Sequence, residues 1–185
     1  MKTLFIVRHG EAVTRELDIP DYGRPLADRG ISDSYIIAQH LRNTGVKVSL
    51  IVSSPAPRAL QTANLFAQYL NYSKNKIRKR KAIYEQTENA LIRIIHSVDN
   101  AHKSLMLVGH NPSFTELARF LVETFDQDIP TCGIVGVDLP VNSWKDVTQG
   151  IGKLKLFEYP ADLKKKFEDG KIWLDSSTPF FQKWT

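Results

Sequence analysis

Three short apolar runs, each breaking off in a polar turn, organise the chain as far as residue 112. Leu4-Phe5-Ile6-Val7 ends in Arg8-His9-Gly10, Leu50-Ile51-Val52 in Ser53-Ser54-Pro55, and Leu105-Met106-Leu107-Val108 in Gly109-His110-Asn111-Pro112. Unbroken apolar runs of this length suit strands buried on both faces. They predict strands over residues 3–8, 48–53 and 104–108, followed by helices over 30–44, 56–70 and 112–124. Ile31, Tyr35, Ala38 and Leu41 stand at helical spacing in the first of these helices, and Gly45 stops it. The basic stretch ending at Ile83-Tyr84 reads as a further strand, with a helix over 87–97 and two last strands at 132–139 and 153–159. Strands alternating with helices predict an α/β fold, a three-layer α/β/α sandwich around a mostly parallel sheet.

Loop 11–29, with Pro20, Gly23 and Pro25, is long for a simple connection, and long loops often border a binding site. No repeat or linker interrupts residues 1–159. The character changes after Pro160, so the chain divides into a domain of residues 1–160 and an extension of residues 161–185. The extension begins with a short charged helix over 161–169 and carries Trp173, Phe180, Phe181 and Trp184 among polar residues. Packing on its own domain is the plain expectation for it, and contact with a partner or second copy is the sharper one.

Composition narrows the class. The chain has 185 residues, 42% of them hydrophobic and 24% charged, as in an ordinary soluble globular protein. The net charge of +5 is local, gathered in Lys74, Lys76, Arg78, Lys79, Arg80 and Lys81 and again in Lys164, Lys165 and Lys166. A solvated strand edge and a solvated helix face explain these patches most simply. Binding to nucleic acid or to an acidic partner is the alternative. Cys132 is the one cysteine, which leaves no intrachain disulfide and no cysteine-based metal site. It falls in a stretch that reads as buried strand, where cysteine serves as a small hydrophobe. The first apolar run is too short for a signal sequence, and no stretch approaches a membrane span, so the cytoplasm is the expected compartment.

The chemistry lies at the ends of the three runs. If the strands are parallel, Arg8, His9, Arg58 and His110 gather along one edge of the sheet, where α/β proteins place their sites. A transferring phosphoryl group carries charge on its oxygens and needs fixed cations and directed donors. Arg8 and Arg58 are the cations, and Arg58 falls in the first turn of a helix, where the dipole also favours an anion. His9 is the candidate nucleophile. It must be neutral, which the neighbouring guanidiniums favour, and its other ring nitrogen needs an acceptor such as a backbone carbonyl. His110 can donate to the phosphate. Glu85 is the favoured general acid. Glu11, Asp18, Asp21 and Glu88 are the other candidates, and any of them could instead pair with Arg8, Arg24, Arg29 or Arg58. His40, His96 and His102 lack such a setting and read as structural. No compact ligand pattern marks a catalytic metal.

Arg8-His9-Gly10, Ser53-Ser54-Pro55-x-x-Arg58-Ala59-x-Gln61-Thr62-Ala63 and Val108-Gly109-His110-Asn111-Pro112 together resemble the histidine phosphatase superfamily, with its phosphoglycerate-mutase-like fold. Asp21-Tyr22-Gly23-Arg24-Pro25-Leu26-Ala27-Asp28-Arg29-Gly30, Ile129-Pro130-Thr131-Cys132-Gly133 and Ser143-Trp144-Lys145-Asp146-Val147 are similar to segments of its small SixA-type phosphohistidine phosphatases. The resemblance runs over about residues 1–160. It implies that His9 is phosphorylated during turnover, that Arg8, Arg58 and His110 complete the phosphate pocket, that one strand of the sheet is antiparallel, and that no metal or other cofactor is required. It also implies a carboxylate acid in the region of Glu85, which some SixA-type members lack. The expected partner is a phosphorylated protein, such as a phosphotransfer domain, or else a small phosphate ester; neither nucleic acid nor membrane is expected. A non-catalytic phosphoprotein-binding module is the alternative from another class. Between Tyr84 and Ser104 there is room for one helix and no sizeable lid, which suits a phosphorylated side chain standing out from a protein.

Overall fold

The computed structural model describes residues 1–14, 19–85 and 88–175. The elements follow in the order β1 (Lys2–Arg8), α1 (Asp28–Asn43), β2 (Leu50–Ser53), α2 (Pro57–Tyr69), β3 (Arg78–Lys79), α3 (Glu88–His96), β4 (Ser104–Gly109), α4 (Ser113–Leu121), β5 (Ile134–Leu139), β6 (Lys153–Glu158) and α5 (Pro160–Glu168). One sheet runs in the order β3-β2-β4-β1-β5-β6. β3, β2, β4 and β1 pair in parallel, while β5 is antiparallel to both of its neighbours.

Alternation along the central strand sorts its side chains between two cores. Leu4 and Ile6 of β1 join Leu91, Ile95, Phe114 and Leu117 of α3 and α4 on one face. Phe5 and Val7 join Ile36, Ile37, Ala63, Phe66 and Leu163 of α1, α2 and α5 on the other. All four β1 side chains are buried. Each such burial contributes about 1.5–3 kcal/mol, so the central strand is held hard from both sides. Leu174, beyond α5, is buried in the same second core. The other aromatic residues singled out in the tail, Phe180, Phe181 and Trp184, lie outside the described residues, and Trp173 is exposed.

The chain leaves β1 toward α1 on one face and leaves the adjacent β4 toward α4 on the opposite face. Connections that diverge from neighbouring parallel strands open a crevice at their carboxyl ends, the usual ligand position in such sheets.

Two expectations need correction. The basic stretch is a strand only at Arg78–Lys79; Lys81–Ile83 forms a 3-10 turn, and Ile83 is buried from that turn rather than from the sheet. Cys132 is buried as expected but precedes β5, in a left-handed turn with φ of 59°. No helix among the described residues is long and apolar enough to cross a membrane.

Candidate active site

The end of β1 is clamped through its backbone. The His9 N–H donates to the Gly109 carbonyl at 3.0 Å, and the His9 carbonyl accepts from the Cys132 N–H at 3.0 Å. The Gly10 N–H donates to Thr62 Oγ1 at 3.1 Å, one turn after Arg58 on α2. Gln61 accepts the Leu26 N–H at 2.7 Å and ties down the returning strand of loop 11–29. Thus Gln61 and Thr62, read from the sequence only as a pattern, hold the two chain segments that frame His9.

The His9 ring has one partner on each nitrogen. Nδ1 lies 2.6 Å from the Gly10 carbonyl, and a carbonyl can only accept, so Nδ1 carries the proton. Nε2 then keeps its lone pair and accepts from Arg58 Nε at 3.2 Å. Burial lowers the pKa of this imidazole most. The Gly10 bond works the other way, and Arg58, Arg8 and Arg24 push it down further, to about 4. His9 is therefore a neutral imidazole at neutral pH, with its free electron pair facing a guanidinium.

His110 packs edge-on against His9, with ring centroids 5.0 Å apart. Its Nε2 lies 2.9 Å from Ser54 Oγ. Burial, then His9 and Arg58, lower its pKa to about 3. When the Ser54 hydroxyl donates to Nε2, the proton of neutral His110 sits on Nδ1. That atom is buried without a partner among the described residues, and so is Nε of Arg8. Leaving two buried donors unpaired is costly, and an oxyanion would satisfy both. Arg8 is aimed by a bond from its terminal nitrogen to the Ile129 carbonyl at 2.8 Å, an oxygen it shares with Asn111.

The four expected phosphate ligands thus converge in part through direct contacts: Arg58 on His9, and His9 on His110, with Arg8 adjoining His9 at the strand end. The candidate acids separate. Asp21 is the carboxylate at the site, but as a counter-ion. Its Oδ2 lies 3.0 Å from Arg58, its Oδ1 lies 2.9 Å from Arg24, and its backbone carbonyl accepts from Arg58 as well. Partial burial resists its ionisation, but Arg58 and Arg24 outweigh this and hold its pKa at about 2. Glu85 is exposed and lies 3.6 Å from Lys81, without a described contact to His9 or His110. Glu11 pairs with Arg29 at 3.7 Å. Glu88 opens α3, and Asp18 lies outside the described residues. His96 bonds to the Val147 carbonyl and His40 approaches Glu158, both away from the pocket residues.

Tyr84 is the site residue that sequence reasoning passed over. Its ring meets His110 at 5.4 Å and Tyr22 at 4.9 Å, both edge-on, and its hydroxyl lies 3.4 Å from Asp21 Oδ2. Its one sequence signal was an aromatic residue closing an apolar pair before a polar loop.

Residues 4–112 match the family model of the histidine phosphatase superfamily (branch 1). An uncharacterised protein of Mycobacterium tuberculosis is 28% identical over 166 residues, covering 83% of this chain and 99% of the relative. The structure of the protein histidine phosphatase SixA complexed with tungstate superposes with a TM-score of 0.74 at 22% identity, covering 87% of this chain and 99% of that one. A mycobacterial glucosyl-3-phosphoglycerate phosphatase superposes at 0.60 with 12% identity, over 84% of this chain and 98% of its own.

Proposed function

The chain belongs to the histidine phosphatase superfamily (branch 1), and on that footing we propose that it is a phosphatase acting through His9 on phosphohistidine in proteins. The observation that carries this reading is the state of His9: neutral, with its tautomer set by Gly10 and Nε2 directed at Arg58. In the first step the other ring nitrogen of the substrate imidazole takes a proton from solvent, the Nε2 lone pair of His9 attacks phosphorus, and the bond from phosphorus to the substrate nitrogen breaks, its electron pair leaving with a neutral imidazole while His9 keeps its Nδ1 proton. As Nε2 forms its new bond, Arg58 Nε loses its acceptor there and turns to a phosphoryl oxygen. Arg8 Nε and His110 Nδ1 donate to the other oxygens. In the second step water attacks phosphorus, the bond to Nε2 breaks, inorganic phosphate leaves, and the proton from water passes to solvent.

Phosphohistidine is favoured over oxygen esters because, among the described residues, the carboxylate in direct contact with the phosphate ligands is Asp21, which is held ionised and cannot serve as an acid. An imidazole leaving group needs little acid help, whereas an alkoxide needs a great deal. The likeness to the SixA structure points the same way. Glu85 remains our choice of acid for any ester substrate, from the polar loop beside Tyr84.

The test is rapid mixing with labelled phosphohistidine protein and an alkaline quench. Acid-labile label should appear on His9, and His9→Ala should carry none and turn nothing over. Repeated absence of label would favour a module that grips phosphate without reacting. The same assay on free phosphohistidine and on unactivated phosphate esters, with wild type and Glu85→Gln, separates the substrate classes. Esters should be poor substrates, and Glu85→Gln should slow them alone, by about 10²–10⁴-fold. Strong preference for esters would defeat the phosphohistidine reading.

A further inference from the structure

Lys74, Lys76, Arg78, Lys79, Arg80 and Lys81 put six cations into eight residues with no acidic residue among them, more than the net charge of +5 on the whole chain. All six are exposed. Among the described residues only Lys81 comes near a carboxylate, Glu85 at 3.6 Å. β3 pairs with β2 alone, so this stretch forms one outer edge of the sheet. The parallel register sets Arg78 beside Val52 and Lys79 beside Ser53, which directs the basic strand toward the catalytic end. The Arg80 N–H donates to the Ser53 carbonyl at 2.9 Å, and the next residue, Ser54, holds His110. Tyr84 follows three residues after Lys81, edge-on to His110 and with its ring centroid 6.0 Å from the Arg58 guanidinium carbon. The basic ridge therefore runs into the rim of the phosphate pocket.

A charged edge strand ordinarily discourages pairing with another sheet, and Arg78 and Lys79 on a two-residue strand suffice for that. The ridge extends beyond the strand on both sides and reaches the pocket mouth. We propose that residues 74–81 dock the protein that presents the phosphohistidine, through an acidic face beside its phosphorylated side chain. This rests on the phosphohistidine reading above. Cations at a rim steer an acidic partner and raise its association rate in a salt-dependent way, while the chemistry stays with the pocket. A nucleic acid strand fits less well, because its internal phosphates are diesters with no terminal phosphoryl group for His9.

The experiment pairs Lys79→Glu/Arg80→Glu with the milder Lys79→Gln/Arg80→Gln; neither side chain belongs to the pocket. The probes are an acidic phosphotransfer domain phosphorylated with phosphoramidate, free phosphohistidine, and a short single-stranded oligonucleotide. Charge reversal should lower kcat/KM on the domain by about tenfold or more and flatten its salt dependence, with a smaller loss in the neutral pair. Both variants should hydrolyse free phosphohistidine at the wild-type rate. Unchanged rates on the domain would reduce the ridge to edge protection and overturn the proposal. Equal losses on domain and free phosphohistidine would also overturn it, as would oligonucleotide binding that is lost while the domain is still hydrolysed normally. A wild-type enzyme that cleaves esters but neither phosphohistidine probe would instead refute the substrate reading beneath it.

Discussion

At neutral pH an exposed imidazole is partly protonated, and a protonated imidazole cannot attack phosphorus. Burial and three arginines remove that restriction from His9 by moving its titration to about pH 4. An imidazole NMR titration should therefore give a His9 midpoint near 4; one near 6.5 would mean that the ring is far wetter than its contacts indicate. The sign for stability follows. Between about 6.5 and 4 the unfolded chain binds protons at His9 that the folded chain refuses, so stability falls as pH drops through that window. Asp21 is the other residue with a single clear consequence. Its carboxylate shares Arg58 with whatever oxyanion enters, and Asp21→Asn removes one negative charge beside that site. Tungstate should bind the variant several-fold more tightly, as expected for one charge at a few ångströms in a solvated pocket. Weaker binding by calorimetry would show that Asp21 matters more for aiming Arg58 than for competing with the anion.

At the scale of elements, the site depends on two segments approaching too closely for any side chain between them. A Cβ on Gly30, in the first turn of α1, would fall on the Glu11 backbone, and one on Gly10 would lie 2.6 Å from the Gly30 carbonyl oxygen. Gly30→Ala should cost about 1–3 kcal/mol in denaturant unfolding, with lost activity because α1 must back away from the His9 loop. Unchanged stability would mean that the loop relaxes freely. The strands most legible in the sequence, β1, β2 and β4, are those buried on both faces, where nothing interrupts the apolar run. β3 was overread because Ile83 is apolar for another reason: it fills the space over Gly109 from a 3-10 turn. Arg8, His9, Arg58 and His110 were legible because each follows a buried run. That Asp21 could pair with Arg24 or Arg58 was legible as well; that it, rather than another candidate carboxylate, does so, and that Tyr84 joins it, depends on how loops fold back over α2, and local patterning carries no record of that.

At the scale of the whole molecule, three segments widely separated in sequence meet only because β4 enters the sheet between β2 and β1. On the proposed reading, grip on the phosphate is thus a property of the assembled sheet. The choice of tautomer at His9 is far more local. The proton on His9 is placed by the carbonyl of the very next residue, while Arg58 donates to the opposite ring nitrogen. A nucleophile prepared by its own backbone does not lose its tautomer when neighbouring side chains change. Changes at the rim around Tyr22, Tyr84 and the basic ridge accordingly leave the Nε2 electron pair where it was.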